Sequence, residues 1–204
     1  MVAIIDYDAG NLKSVQKALE YLGAKVCVTR DREEILKSDH IVLPGVGAFG
    51  QAMENLKKYD LVSTIQEAVE KEIPFLGICL GMQLLFESSE ETVGVKGLGL
   101  LPGKVVKIPK SETLKIPHMG WNSLEIKNKA TLFQGLPQSP YVYFVHSYYL
   151  QAKEKEDVCA VTDYSTQLDV AVERGTIFGC QFHPEKSGEI GLAILSNFLK
   201  VGGK

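Results

Sequence analysis

The chain has 204 residues, 45% hydrophobic and 23% charged, a balance that supports one large core and predicts a single domain over residues 1–204. A net charge of -3 removes the bulk electrostatic case for a nucleic-acid partner. Four scattered cysteines (Cys27, Cys79, Cys159, Cys180), no secretion signal and no apolar run of membrane-spanning length predict a reducing, cytoplasmic setting with no membrane partner.

Residues 2–5 read as a buried strand, 6–10 as a loop and Asn11 as a helix cap. Leu12, Val15, Leu19 and Leu22 recur at helical spacing, and Gly23 closes that helix. A strand over 24–29, a short helix over 32–37 and a strand over 40–43 follow, with His40 read as structural. Alternation of this kind predicts an open, largely parallel sheet with helices on both faces, an α/β fold. Pro44-Gly45-Val46-Gly47 then ends the third strand. Its glycines let backbone approach a ligand, and loops at the carboxyl ends of parallel strands are where such sheets bind substrates. The same residues also fit a plain turn. They match neither the dinucleotide fingerprint nor a phosphate-binding P-loop.

Helices over 48–58 and 61–72 lead into the run 73–76, and Gly77-Ile78-Cys79-Leu80-Gly81 comes next, before a helical pattern over 82–86. A cysteine between glycines at a strand-to-helix turn has the form of a nucleophile elbow. The N–H groups of the following helix would favour its thiolate. A buried cysteine at a tight turn is the plainer alternative.

Residues 88–99 read as a polar surface connection. Strand-like runs then fall at 105–108, 124–126, 141–145, 158–161, 170–172 and 176–182, predicting an antiparallel extension in the C-terminal half. Cys27 and Cys180 lie in strand-like runs and read as core. A last helix over 188–201, capped by Ser187, places Ile190, Ile194 and Phe198 on one face.

His183-Pro184-Glu185 follows the run ending in Phe182. In extended backbone, positions two apart point the same way, and Pro184 favours that state in the residue before it. His183 and Glu185 can therefore share a site. A cysteine nucleophile needs an imidazole to move its proton and a carboxylate to orient the imidazole. Leu80 N–H, just after the nucleophile, is a natural oxyanion donor, with a second from the Gly45-Val46-Gly47 loop. If that loop must rearrange to aim its N–H inward, a partner can switch the activity. His118-Met119-Gly120-Trp121-Asn122 reads equally as a core plug or an interface anchor, and His146-Ser147-Tyr148-Tyr149 as a substrate edge or strand-end packing.

Gly77-Ile78-Cys79-Leu80-Gly81-Met82-Gln83 together with His183-Pro184-Glu185 resembles the class I, triad-type glutamine amidotransferases over essentially the whole chain. The runs 8–12, 44–49, 117–122, 144–148 and 181–187 bring it nearest to the glutaminase subunits of imidazole glycerol phosphate synthases. The resemblance implies Cys79 as nucleophile, His183 as base and then acid, and Glu185 as its orienter. It places Leu80, Val46 and Gly47 at the oxyanion hole, and Gly45, Gly47, Gln83, His146, Ser147 and Tyr148 around glutamine. Asn11, Met119, Trp121 and Lys186 would face a β/α-barrel cyclase subunit in a heterodimer, which takes the ammonia to make imidazole glycerol phosphate and an aminoimidazole carboxamide ribotide. It implies no cofactor and no metal. Other class I amidotransferases, a related cysteine peptidase or deglycase, and an inactive scaffold remain as alternatives.

Overall fold

The computed structural model describes residues 1–127 and 130–202. Its first half alternates β1 (Val2–Ile5), α1 (Leu12–Tyr21), β2 (Val26–Thr29), α2 (Arg32–Leu36) and β3 (His40–Leu43). Then come α3 (Phe49–Lys58), α4 (Leu61–Glu70), β4 (Phe75–Ile78) and the one-turn α5 (Leu80–Gln83). The second half adds β5 (Ser88–Ser89), β6 (Gly103–Lys107), β7 (His118–Ser123), β8 (Glu125–Ile126), β9 (Tyr141–His146) and β10 (Tyr148–Ala152). The chain closes through β11 (Val158–Tyr164), β12 (Thr166–Arg174), β13 (Ile177–Cys180) and α6 (Gly188–Leu199).

Eleven of these strands share one sheet, ordered β2-β1-β3-β4-β13-β12-β10-β6-β5, with β11 beside β12 and β8 beside β11. The five strands from β2 to β13 are mutually parallel. β12, β10, β6 and β11 pair antiparallel, which is the expected extension. β7 and β9 form a separate antiparallel ribbon. Alternate residues of the parallel strands feed two cores. Val2, Ile4, Leu76 and Ile78 pack with Val15 and Leu19 of α1 and Ile194 and Phe198 of α6. Ala3, Ile5 and Phe75 pack on the other face with Ile35, Phe49, Met53, Leu56 and Ile65 of α2, α3 and α4. Among the described residues no helix is long and apolar enough to cross a membrane.

The structure corrects several expectations. The run 176–182 joins the two halves of the sheet: β13 pairs antiparallel with β12, as expected, but parallel with β4 on its other side, with Gly179 opposite Gly77 and Cys180 opposite Ile78. All four residues of β13 are buried, as a strand covered on both faces must be. Cys27 is half-buried rather than core, because β2 is a terminal strand of the sheet. β7 and β10 were not anticipated; β7 carries Gly120 (φ 127°) and Asn122, which are poor strand formers. The 88–99 connection is not wholly superficial, since Ser88–Ser89 pairs with β6 and Leu98 is buried.

Strand order reverses between β1 and β3, the switch point at which an open α/β sheet offers a crevice at its carboxyl ends. Four segments leave from that edge: the loop 6–11, the loop 44–48, Cys79 and the run 181–183. The first is pinned from outside. Arg30 reaches Asp6 (2.7 Å) and Asp8 (2.9 Å) and lies 4.0 Å above the Tyr59 ring. From inside, the buried Tyr7 hydroxyl donates to the Pro44 carbonyl (2.8 Å).

Candidate active site

Cys79 sits at φ 54°, ψ -110°, a backbone state that costs a side-chain-bearing residue about 1–3 kcal/mol. Its neighbours hold it there. Cys79 N–H donates to the Cys180 carbonyl (2.7 Å), fastening β4 to β13 at the turn. Glycine is required at both flanks. A methyl at Gly77 would lie 2.7 Å from Met82 Cα, and one at Gly81 would be driven into the Leu43 carbonyl oxygen. The elbow is therefore a physical feature of the fold. α5 is only one turn long, so its dipole contributes little to the sulfur. The donor at the sulfur is a side chain: Gln181 Nε2 lies 3.6 Å from Cys79 Sγ.

His183 follows β13 and is 1% exposed. Its N–H donates to the Tyr143 carbonyl (2.9 Å), and Ser187 Oγ donates to the His183 carbonyl (2.7 Å). Its ring Nδ1 donates to Glu185 Oε1 at 2.7 Å. The two side chains meet as expected, but not through extended backbone: residues Pro184–Lys186 form a 3-10 turn. Asn11 completes the group. It occupies the N-cap position of α1 in a left-handed conformation (φ 74°) and makes no side-chain cap bond. Its amide Nδ2 instead donates to Glu185 Oε1 at 2.5 Å. Among the described residues, Glu185 Oε2 and His183 Nε2 are buried without a hydrogen-bond partner. Burial pulls the His183 imidazole down, but Cys79 and then Glu185 outweigh it and raise the pKa to about 9. The shift favours the protonated imidazole, the form that can act as an acid.

A cavity of about 360 Å³ opens over this group, lined by Val46, Gly47, Leu80, Gln83, His146, Ser147 and Tyr148 as well as Cys79 and His183. Its size suits a small metabolite. Gly45 does not line it; its carbonyl accepts the Leu80 N–H at 3.4 Å. The Leu80 N–H, one of the two expected oxyanion donors, is therefore occupied. Glu91, which sequence reasoning missed, brings a carboxylate to the wall and accepts the Phe49 N–H at the start of α3 (2.7 Å). No motif marks it within its polar connection.

His146 and His118 form a directed chain behind the cavity. His146 Nδ1 donates to the Tyr148 carbonyl (2.8 Å), so its Nε2 accepts from His118 Nδ1 (2.9 Å). Burial lowers the pKa of His118 to about 4 and, with smaller contributions from the neighbouring imidazoles, that of His146 to about 3. The unfolded chain takes these protons near pH 6.5, the folded one only far below. Unfolding free energy measured in urea should fall from pH 6.5 towards about 4, by about 1.4 kcal/mol per pH unit per imidazole. His118→Gln should remove one imidazole's share of that slope. His183 has the opposite sign: its contribution is full below pH 6.5 and is lost as pH rises through about 9.

Met119 and Trp121 point outward from β7 and are 62% and 56% exposed. Trp121 lies edge-on to Tyr143 (6.2 Å), and Lys186 sits above the same ring (6.0 Å), so these side chains form one patch beside the His183 segment. Of the two readings of the His118–Asn122 stretch, the tryptophan is exposed and His118 is the buried plug.

The model of the family described as "Glutamine amidotransferase class-I" matches residues 3–201. The chain belongs to the class-I glutamine amidotransferase family. This amidotransferase is 56% identical over 201 residues to the imidazole glycerol phosphate synthase subunit HisH of Bacillus cereus (strain G9842), covering 98% of this chain and 95% of that one. Proteins of the same description match from Moorella thermoacetica (51% identity, 97% and 93% covered) and Methanocaldococcus jannaschii (50% identity, 98% and 100% covered). Among solved structures, PurLQS from Thermotoga maritima aligns at TM-score 0.76 and 19% identity, covering 97% of the amidotransferase and 96% of that chain. Another, titled as a glutamine amidotransferase crystal structure, aligns at TM-score 0.75 and 20% identity, covering 97% and 99%. At those identities they support the shared fold of the amidotransferase.

Proposed function

We propose that this enzyme is the glutaminase subunit of an imidazole glycerol phosphate synthase, acting as one domain in the cytoplasm and supplying ammonia for histidine biosynthesis. The chemistry rests on the buried Cys79–His183–Glu185 group on a strained elbow at the cavity wall.

The Cys79 thiolate attacks the side-chain carbonyl carbon of glutamine, forming a C–S bond as the π electrons move to oxygen. That oxyanion takes hydrogen bonds from Leu80 N–H and from Val46 or Gly47 N–H once the Gly45 carbonyl has moved aside. Collapse breaks the C–N bond, and the His183 imidazolium gives its proton to the departing nitrogen. Ammonia leaves a glutamyl thioester. His183, now neutral, takes a proton from water as it attacks; the C–S bond breaks, and glutamate and the thiolate remain. Glu185, held by Asn11, keeps Nδ1–H of the imidazole oriented throughout. Glu91 pairs with the α-ammonium of glutamine, while Gly47, Gln83, His146, Ser147 and Tyr148 shape the rest of its pocket. Gly45 acts through its carbonyl on Leu80. Glu91→Gln should therefore raise KM for glutamine about 10- to 100-fold with a smaller change in kcat, because a charged hydrogen bond of about 1.5–3 kcal/mol is lost.

The exposed patch of Met119 and Trp121, with Lys186 and the nearby Asn11, is the proposed seat of the β/α-barrel cyclase subunit. An apolar patch rimmed by polar groups is the form such an interface takes. The blocked Leu80 N–H gives that partner a step to control. The test is glutamate release from glutamine by the chain alone, with the cyclase subunit, and with that subunit carrying its nucleotide substrate. Strong stimulation by the loaded partner is expected. Full turnover with no partner would overturn the gated-subunit reading.

A further inference from the structure

We propose that Gln181 is a catalytic residue of this site, donating a hydrogen bond from its side-chain amide to the sulfur of Cys79, and that Gln83 is the positioning residue that fixes its direction. This inference rests on Cys79 being the nucleophile.

The geometry decides which end of each amide faces which neighbour. Gln83 Nε2 lies 3.1 Å from the Tyr148 carbonyl oxygen, which can only accept. That end of Gln83 is therefore its NH₂. The same nitrogen lies 2.9 Å from the side chain of Gln181, so Gln181 presents its oxygen there. Its own NH₂ is left facing Cys79 Sγ at 3.6 Å. Gln181 is 0% exposed and Gln83 6%, so neither amide can turn freely to water. Main-chain bonds hold both ends of this chain. Gln181 N–H donates to the Val170 carbonyl (2.8 Å) beside the sheet, and Tyr148 begins β10.

A thiolate accepts a hydrogen bond more strongly than a thiol, so a fixed donor favours the ionised sulfur. The dipole is set in advance and needs no reorganisation when charge returns to sulfur as the thioester breaks. Among the described residues, the ionisable groups facing Cys79 are His183 after β13, Tyr7 after β1 and Cys180 on β13, with Glu91, His146 and Tyr148 on the wall of the same cavity. Of these groups His183 is the one favoured as a cation, since burial keeps His146 neutral; Gln181 adds a neutral donor from a second direction. A buried glutamine of purely structural use would instead stabilise the fold and leave the sulfur's ionisation alone.

The experiment is the pH profile of iodoacetamide alkylation at Cys79, followed by peptide mass mapping so that half-buried Cys27 is scored separately. Gln181→Met keeps the length and removes the donor. The alkylation midpoint should move up by about one pH unit. Gln181→Glu keeps the shape but sets a carboxylate beside the sulfur, and should move it further. Gln83→Met releases the orienting bond and should move it less than Gln181→Met. If one variant does not fold, the other two carry the test. Midpoints unchanged in the folded variants, with only thermal stability altered, would overturn the proposal. A retained glutaminase activity in Cys79→Ala would instead remove the reading of Cys79 on which it stands.

Discussion

Cys79→Ala should lower glutamine turnover in the complex with the cyclase subunit by at least about 10⁴-fold, without weakening the affinity for that subunit. In the proposed mechanism the Cys79 thiolate makes the bond that divides the reaction in two, and no other nucleophile among the cavity-lining residues sits on an elbow. His183→Asn should cost a similar factor, and the double variant should be no slower than either alone. Groups that act as one unit are not additive. Steady-state glutamate release measures all three, and undiminished turnover in Cys79→Ala would sink the mechanism. A second readout separates chemistry from strain. At φ 54°, ψ -110° an alanine keeps the backbone penalty while a glycine does not. Cys79→Gly should therefore be about 1–2 kcal/mol more stable than Cys79→Ala in urea unfolding, although both are inactive. The proposed nucleophile is a residue the fold would be more stable without.

Gly81→Ala should be among the most destabilising methyl additions possible in this chain. The new carbon points at the Leu43 carbonyl oxygen, which is backbone in the buried strand β3 and cannot rotate away. Relief requires β3 and α5 to part, and a cost of about 3 kcal/mol is expected, at the top of the overpacking range. For a chain of this size that is a fall in Tm of about 6–12 °C. Turnover should drop as well, by about 10²-fold, because parting those elements shifts Cys79 relative to His183. Gly94→Ala is the control. Gly94 has φ 85° with open space around it, so the substitution carries only left-handed strain, about 1–2 kcal/mol, and leaves turnover unchanged. A stability loss at Gly81 no larger than that at Gly94 would show that the Leu43 contact yields easily and that close packing does not govern the elbow.

Much of the site was legible because its parts are local. The spacing of Leu12, Val15 and Leu19 marked α1, and a cysteine between Gly77 and Gly81 marked the turn. His183-Pro184-Glu185 offered an acid–base pair two residues apart, and the two do bond, although through a 3-10 turn. The alternation argument applied to 183 and 185 could equally have been applied to 181 and 183. It would have drawn Gln181 to the same side as His183.

What stayed hidden depends on partners far away in the chain. Asn11 reaches Glu185 across 174 positions, Gln83 reaches Gln181 across 98, and Glu91 joins the cavity from a connection with no pattern. Periodicity records which face of an element is buried; it does not record which elements lie side by side. By itself, then, the sequence determined the alternating α/β framework and the elbow, because each follows from spacing within a few positions, and it offered Cys79, His183 and Glu185 as the candidate triad. Only the tertiary structure decided that β13 lies parallel to β4 and brings His183 beside Cys79. The same holds for the Gly45 carbonyl on Leu80 N–H and for the amide donor on the sulfur. Those are contacts between strand ends and loops, set by the order of strands in the sheet, and strand order leaves no trace in local spacing.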